Sequence, residues 1–157
     1  MISITKSLEH MAWSNQQIFA ELSKLPEDVY GLRAAEGEWP LGRIATHLLG
    51  SGEWYRYILT GRKWTEITAI RTHEILKESA LYLAALDQVL IDQSKLADEI
   101  IQFQNENGED KTTRSLILAQ AVMHSAEHKG QLATILKMHG YFLDLDRFDV
   151  WSFESTN

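Results

Sequence analysis

Apolar residues recur along the chain at spacings of three and four, and the pattern breaks at Pro26 and Pro40, the only two prolines. That period belongs to helices with one face toward a core. The first series, Ile4, Leu8, Met11, Ala12, Ile18, Phe19, Leu22 and Leu25, predicts a helix that stops where Pro26 blocks continuation. Residues 26–39 hold one proline, two glycines and four carboxylates and read as a connection. Pro40 suits the first position of a second helix, where its missing N–H costs nothing. Leu41, Ile44, Ala45, Leu48, Leu49, Tyr55, Ile58 and Leu59 carry that helix to a capping Gly61.

Thr72 is placed to cap a third helix through Ile75, Leu76, Leu83, Leu86, Leu90 and as far as Leu96. The segment 100–111 alternates weakly around Asn107-Gly108 and reads as a hairpin or a loop. Thr112, Thr113 or Ser115 caps a fourth helix, whose face is Ile117, Ala121, His124, His128, Leu132, Ile135 and Met138, ending at Gly140. A short helix around Asp146 to Phe153 closes the series. Four helices of about 20 residues without repeats predict an all-α protein, a four-helix bundle forming a single domain over residues 1–157. The connections at 26–39 and 62–71 leave room for a crossover.

Composition narrows the chemistry. The 157 residues include no cysteine, so a disulfide framework, a Cys-ligated zinc and a thiol nucleophile are all excluded. Any metal must be held by His, Asp or Glu. With 15 Lys+Arg against 22 Asp+Glu the net charge is −7, and no basic stripe offsets it, which argues against a nucleic-acid partner. The longest uncharged stretch, Ser115 to Ala126, falls well short of the ~20 apolar residues of a membrane span. No apolar run followed by a cleavage site opens the chain, so the expected location is cytoplasmic.

His124 and His128 lie four apart in the fourth helix, about 40° around its axis and ~6 Å along it, so both rings reach one metal ion. Both fall in the apolar stripe. His47, beside Leu48 on the second helix, is a third inward candidate. Three histidines from two helices suit zinc, nickel or iron(II), with a position left for water or substrate. The alternative is a set of hydrogen-bonded core histidines, since six His in a chain this long produce such a pair by chance fairly often. His10, His73 and His139 are read as structural. The run His124-Ser125-Ala126-Glu127-His128 also fits H-x-x-E-H, which makes Glu127 a candidate base, although too little chain follows for a distant carboxylate ligand. Trp13, Trp54, Tyr55 and Trp151 either line an apolar pocket or fill the core.

Several of these segments resemble the DinB/YfiT-like superfamily of bacterial four-helix proteins. Trp13-Ser14-Asn15 resembles the Trp-Ala-Asn of its first helix, and Ile44-Ala45-Thr46-His47-Leu48-Leu49 with Glu53-Trp54 resembles its second-helix metal motif. His124-Ser-Ala-Glu-His128-Lys-Gly-Gln131-Leu132 resembles the His-x-x-x-His-Arg-Gly-Gln signature, and the tail from Leu145 to Trp151 is similar as well. The resemblance implies an up-down-down-up bundle with a short C-terminal helix, frequently a homodimer. It implies a divalent metal ion on His47, His124 and His128: zinc or nickel foremost, iron or manganese as alternatives. Gln120 stands where many members carry a further His, and Lys129 replaces the common Arg.

Three neutral imidazoles leave an ion its full charge, which acidifies a bound water or thiol. Of the activities this allows, the resemblance implies first the transfer of a low-molecular-weight thiol co-substrate, of bacillithiol or mycothiol type, to a small-molecule electrophile. A hydrolase using metal-bound hydroxide and a non-catalytic metal-binding protein are the alternatives.

Overall fold

The computed structural model describes residues 3–155. Helix α1 (Ile4–Leu22) begins at Ser3, whose hydroxyl accepts from the Lys6 N–H. It ends three residues earlier than the apolar series. Leu25 precedes Pro26 and is therefore biased out of helical geometry, so the chain unwinds through Ser23 while Leu25 still packs on the core. A 3-10 turn (Glu27–Gly31) interrupts the following connection.

In α2 (Leu41–Thr60), Pro40 sits one position before the first helical residue, with extended backbone (φ −70°, ψ 156°). Gly61 takes the left-handed φ of 65° that ends the helix. Thr72 caps α3 (His73–Gln93) by accepting from the Ile75 N–H, and the helix stops before Leu96. Thr113 caps α4 (Arg114–Met138). A 3-10 turn (Leu145–Phe148) leads into α5 (Val150–Ser155).

One expectation is corrected: the chain is not all-α. Residues 100–113 form a two-stranded antiparallel sheet, β1 (Ile100–Asn105) with β2 (Gly108–Thr113), paired from Ile100↔Thr113 to Asn105↔Gly108. Gly108, at φ 111°, makes the tight reversal possible. Phe103 on β1 lies edge-on to Trp54, 5.7 Å between ring centres, which fastens the hairpin to α2. Buried Arg114 ties its base to the last residue of α3, Gln93, and to the segment before β1 through the Ala97 carbonyl and Glu99.

Helix α1 packs on α3 and α4, and α2 packs on the same two. Thr5 meets Ser94 and Gln16 meets Ala80, so α1 and α3 run in opposite directions. Tyr82 reaches Glu53, while Leu76 and Leu90 join core clusters with Leu41 and Ile58 respectively, so α3 runs parallel to α2. Parallel neighbours need a connection that returns the length of a helix, and residues 61–72 make it in extended form. Glu53, fully buried, accepts from the Thr65 N–H, Arg56 and Tyr82. Burial alone would raise the Glu53 carboxyl; those bonds outweigh it and hold its pKa below the ordinary value. Further along, Thr46 accepts from the Ile70 N–H at 2.8 Å, and Ile70 is buried.

Here α2 and the connection almost touch. A Cβ on Gly42 would stand 2.4 Å from the Ile70 carbonyl oxygen, a contact only backbone movement relieves. Gly42→Ala is expected to cost about 1–3 kcal/mol by overpacking, despite alanine's better helix propensity. Urea unfolding of the variant decides it: an unchanged or raised midpoint would show that the connection shifts freely.

Candidate metal centre

His47 comes from the second turn of α2, and His124 and His128 come from the middle of α4, which lies against it. Their Nε2 atoms converge. His124 Nε2 is 3.1 Å from His47 Nε2 and 2.9 Å from His128 Nε2, and the ligand atoms of all three lie within 4.8 Å of one another. Two nitrogens each about 2.0–2.1 Å from a shared ion at the tetrahedral angle stand about 3.3–3.4 Å apart, slightly more than the two short separations, so both pairs lie within reach of one ion after a small outward movement.

Proton bookkeeping points the same way. His128 Nδ1 lies 2.8 Å from the Gln131 side-chain oxygen, which can only accept, so Nδ1 carries a hydrogen and Nε2 is the nitrogen turned toward the other two histidines. Burial, then the neighbouring His128 and Arg43, push the His47 pKa down. Burial, then His128 and His47, lower His124 to about 4. Glu127 opposes both shifts only partly. His47 and His124 are therefore neutral near pH 7, the state a metal ligand needs.

Around the triad, Trp39 lies edge-on to His47 at 5.1 Å between ring centres, and Tyr55 lies 6.3 Å from His124. A cavity of about 510 Å³ opens beside His128, walled by Trp39, Ile44, Gln131 and Ile135, with exposed Glu127 on its rim. Glu127 is not among the converging ligands.

The other histidines serve elsewhere. His10 bonds to the Phe148 carbonyl, His139 to the Arg33 carbonyl, and His73 stands against Tyr30 and Glu27. Of the aromatics considered as pocket walls, only Tyr55 faces the triad. Trp13 packs with Phe148 and Phe153, Trp54 with Tyr57 and Phe103, and Trp151 is 80% exposed. Trp39 was missed. It lies outside every helical apolar series, and its one signal was its place just before Pro40, eight residues ahead of His47.

Behind the triad lies a buried polar chain. Asn15 on α1 donates to Asp87 on α3 at 2.9 Å, and Ser125 on α4 donates to the Asn15 side-chain oxygen at 2.8 Å. Lys129, next to His128, donates to Ser14 at 2.5 Å. Burial raises Asp87 to about 7, opposed by the Asn15 bond and the Lys129 charge. Burial lowers Lys129 to about 8, opposed by Asp87.

A four-helix core with an added hairpin and a histidine cluster bridging α2 and α4 defines a class of helical proteins with one candidate metal centre. The chain belongs to the DinB family, whose model matches residues 1–144. It is 25% identical over 147 residues to protein DinB of Bacillus subtilis (strain 168), an alignment covering 87% of this chain and 86% of that protein. Its fold is similar to the crystal structure of a DinB-like protein from Bacillus cereus ATCC 10987, with TM-score 0.71 and 18% identity over 90% of this chain and 93% of the other. Among the described residues no helix is long and apolar enough to cross a membrane.

Proposed function

We propose that His47, His124 and His128 hold one divalent metal ion, zinc or nickel in the first instance, and that the centre serves transfer of a low-molecular-weight thiol to an electrophilic small molecule. The observation that carries this reading is the convergence of three Nε2 atoms, two of them on rings kept neutral by burial. When bound, the ion supplies Lewis acidity and lowers the pKa of a water or thiol brought to it.

The chain's own residues do the rest. Gln131 holds the His128 ring in the tautomer that points Nε2 inward. Trp39 and Ile44 offer an apolar wall that keeps water from one side of the cavity, and Glu127 stands on its rim as a proton acceptor. The protein has no cysteine, so a sulfur nucleophile has to be a separate molecule. Family membership supports a metal centre of this kind.

Metal analysis of the purified, reloaded protein beside His47→Ala tests the centre. One ion per chain is expected, with affinity at least about 100-fold weaker in the variant, because two donors remain. A full complement in His47→Ala would remove that residue from the ligand set. A fluorogenic electrophile assayed with and without bacillithiol then tests the reaction, and metal-dependent turnover without thiol would replace the transferase reading by hydrolysis.

A further inference from the structure

A second cavity, of about 750 Å³, adjoins the one beside His128. Trp39 and Glu38 belong to the walls of both. The second cavity gathers three arginines from three segments: Arg33 after the first 3-10 turn, Arg43 on the first turn of α2, and Arg71 at the end of the extended connection. In a chain of net charge −7 this is a local concentration of cations. None of the three guanidinium groups enters an ion pair or side-chain hydrogen bond among the described residues. Arg43 instead stacks over Trp39, 4.3 Å from the ring centre.

The carboxylates there are not paired with them. Glu27, which accepts from the His73 N–H at 2.7 Å, Asp28 and Glu38 balance the three arginines in formal charge, but none of them stands within ion-pair distance of a guanidinium. Tyr30 also forms part of the wall. It is 5% exposed, and its hydroxyl is buried without a hydrogen-bond partner. Burial, then Glu27, raise its pKa to about 12, so it keeps its proton and remains a donor.

Arg43 and His47 are four residues apart on α2, one turn or about 6 Å along the helix, and Trp39 touches both. From this juxtaposition we infer that the arginine-lined cavity is a subsite for the carboxylate-bearing end of the small molecule whose reactive end meets the three histidines. The subsite's role in turnover rests on the reading of the histidine centre given above. Binding of a carboxylate there does not. Planar guanidinium forks match carboxylates in paired hydrogen bonds, and Trp39 divides the anionic end from the reacting end.

The test uses chelator-treated protein, so that it is independent of metal. The Trp39 indole N–H resonance, assigned by its loss in Trp39→Phe, is followed on titration with malate, with its uncharged diamide and with inorganic phosphate. Malate is expected to move it saturably, and the diamide to leave it still. Arg43→Gln and Arg71→Gln, both exposed and so harmless to folding, are expected to weaken binding about tenfold each. His124→Ala is expected to bind malate as the parent does. An equal response to the diamide, or undiminished binding in both arginine variants, would overturn the subsite; phosphate binding as tightly as malate would overturn its assignment to carboxylates. Failure of the metal analysis leaves this titration readable, and failure of the titration leaves the metal centre standing.

Discussion

His124→Ala is expected to leave a folded protein that retains no metal after gel filtration. His124 is the shared neighbour of the other two histidines, at 3.1 Å from His47 and 2.9 Å from His128. Without it one donor remains on each helix. Glu127 does not belong to the converging set and offers no ready replacement. The ring is only half-buried, so the fold should survive its loss. Melting curves with and without added zinc provide the check. An ion that binds only the folded state raises the parent's Tm in proportion to the logarithm of its concentration, and the variant should show no rise. Gln131→Ala makes an informative companion: losing the bond that orients His128 is expected to weaken binding about 10–100-fold without abolishing it. Full metal retention by His124→Ala would sink the three-histidine centre.

The second large effect concerns stability. Asp87→Ala is expected to lower unfolding free energy by about 2–4 kcal/mol, because it strands the Asn15 amide and opens a void in a closely packed region. Asp87→Asn can still accept that amide's hydrogen bond, and its behaviour depends on pH. The folded Asp87 titrates at about 7 and the unfolded one near the ordinary 3.8. Between those values the folded state holds a proton that the unfolded state has released. Parental stability from this group therefore falls as pH rises through the window, and Asp87→Asn escapes the loss. Relative to the parent, Asp87→Asn should gain stability steadily from about pH 4 to pH 7. Urea midpoints of both proteins at several pH values give the answer, and a difference independent of pH would show that Asp87 is ionised throughout.

The helices were legible because each announces itself locally. Thr72 accepts from the Ile75 N–H and Gly61 turns left-handed, both as their residue types predict. The boundaries of α1 and α2 shifted for a local reason as well, the backbone restrictions around Pro26 and Pro40. The histidines stood out by position, since His124 and His128 interrupt an apolar stripe. Segment 100–113 was ambiguous because its alternation is weak and half its positions face water. Asn15 and Ser125 lie in motifs that the sequence displays, but their meeting with Asp87, and that of the arginines at Trp39, had no sequence signal. Each depends on residues from three segments meeting, and no spacing within one segment encodes that.

The parallel course of α2 and α3 bears on how the molecule comes to be folded. In a bundle of successive hairpins each helix docks on the one made just before it. Here α2 has α3 beside it only after an extended return, and its histidine face closes only when α4 arrives, 77 residues beyond His47 at His124. Asn15 and Ser125 are 110 residues apart when they bond. Contacts this distant must offset a large loop-closure entropy before they reward it, so folding should be slower than in a simple up-and-down bundle of equal length. On the ribosome, a chain that has not yet extruded α4 exposes the apolar sides of α1 and α2, and the three histidines come together as one of the last events of folding.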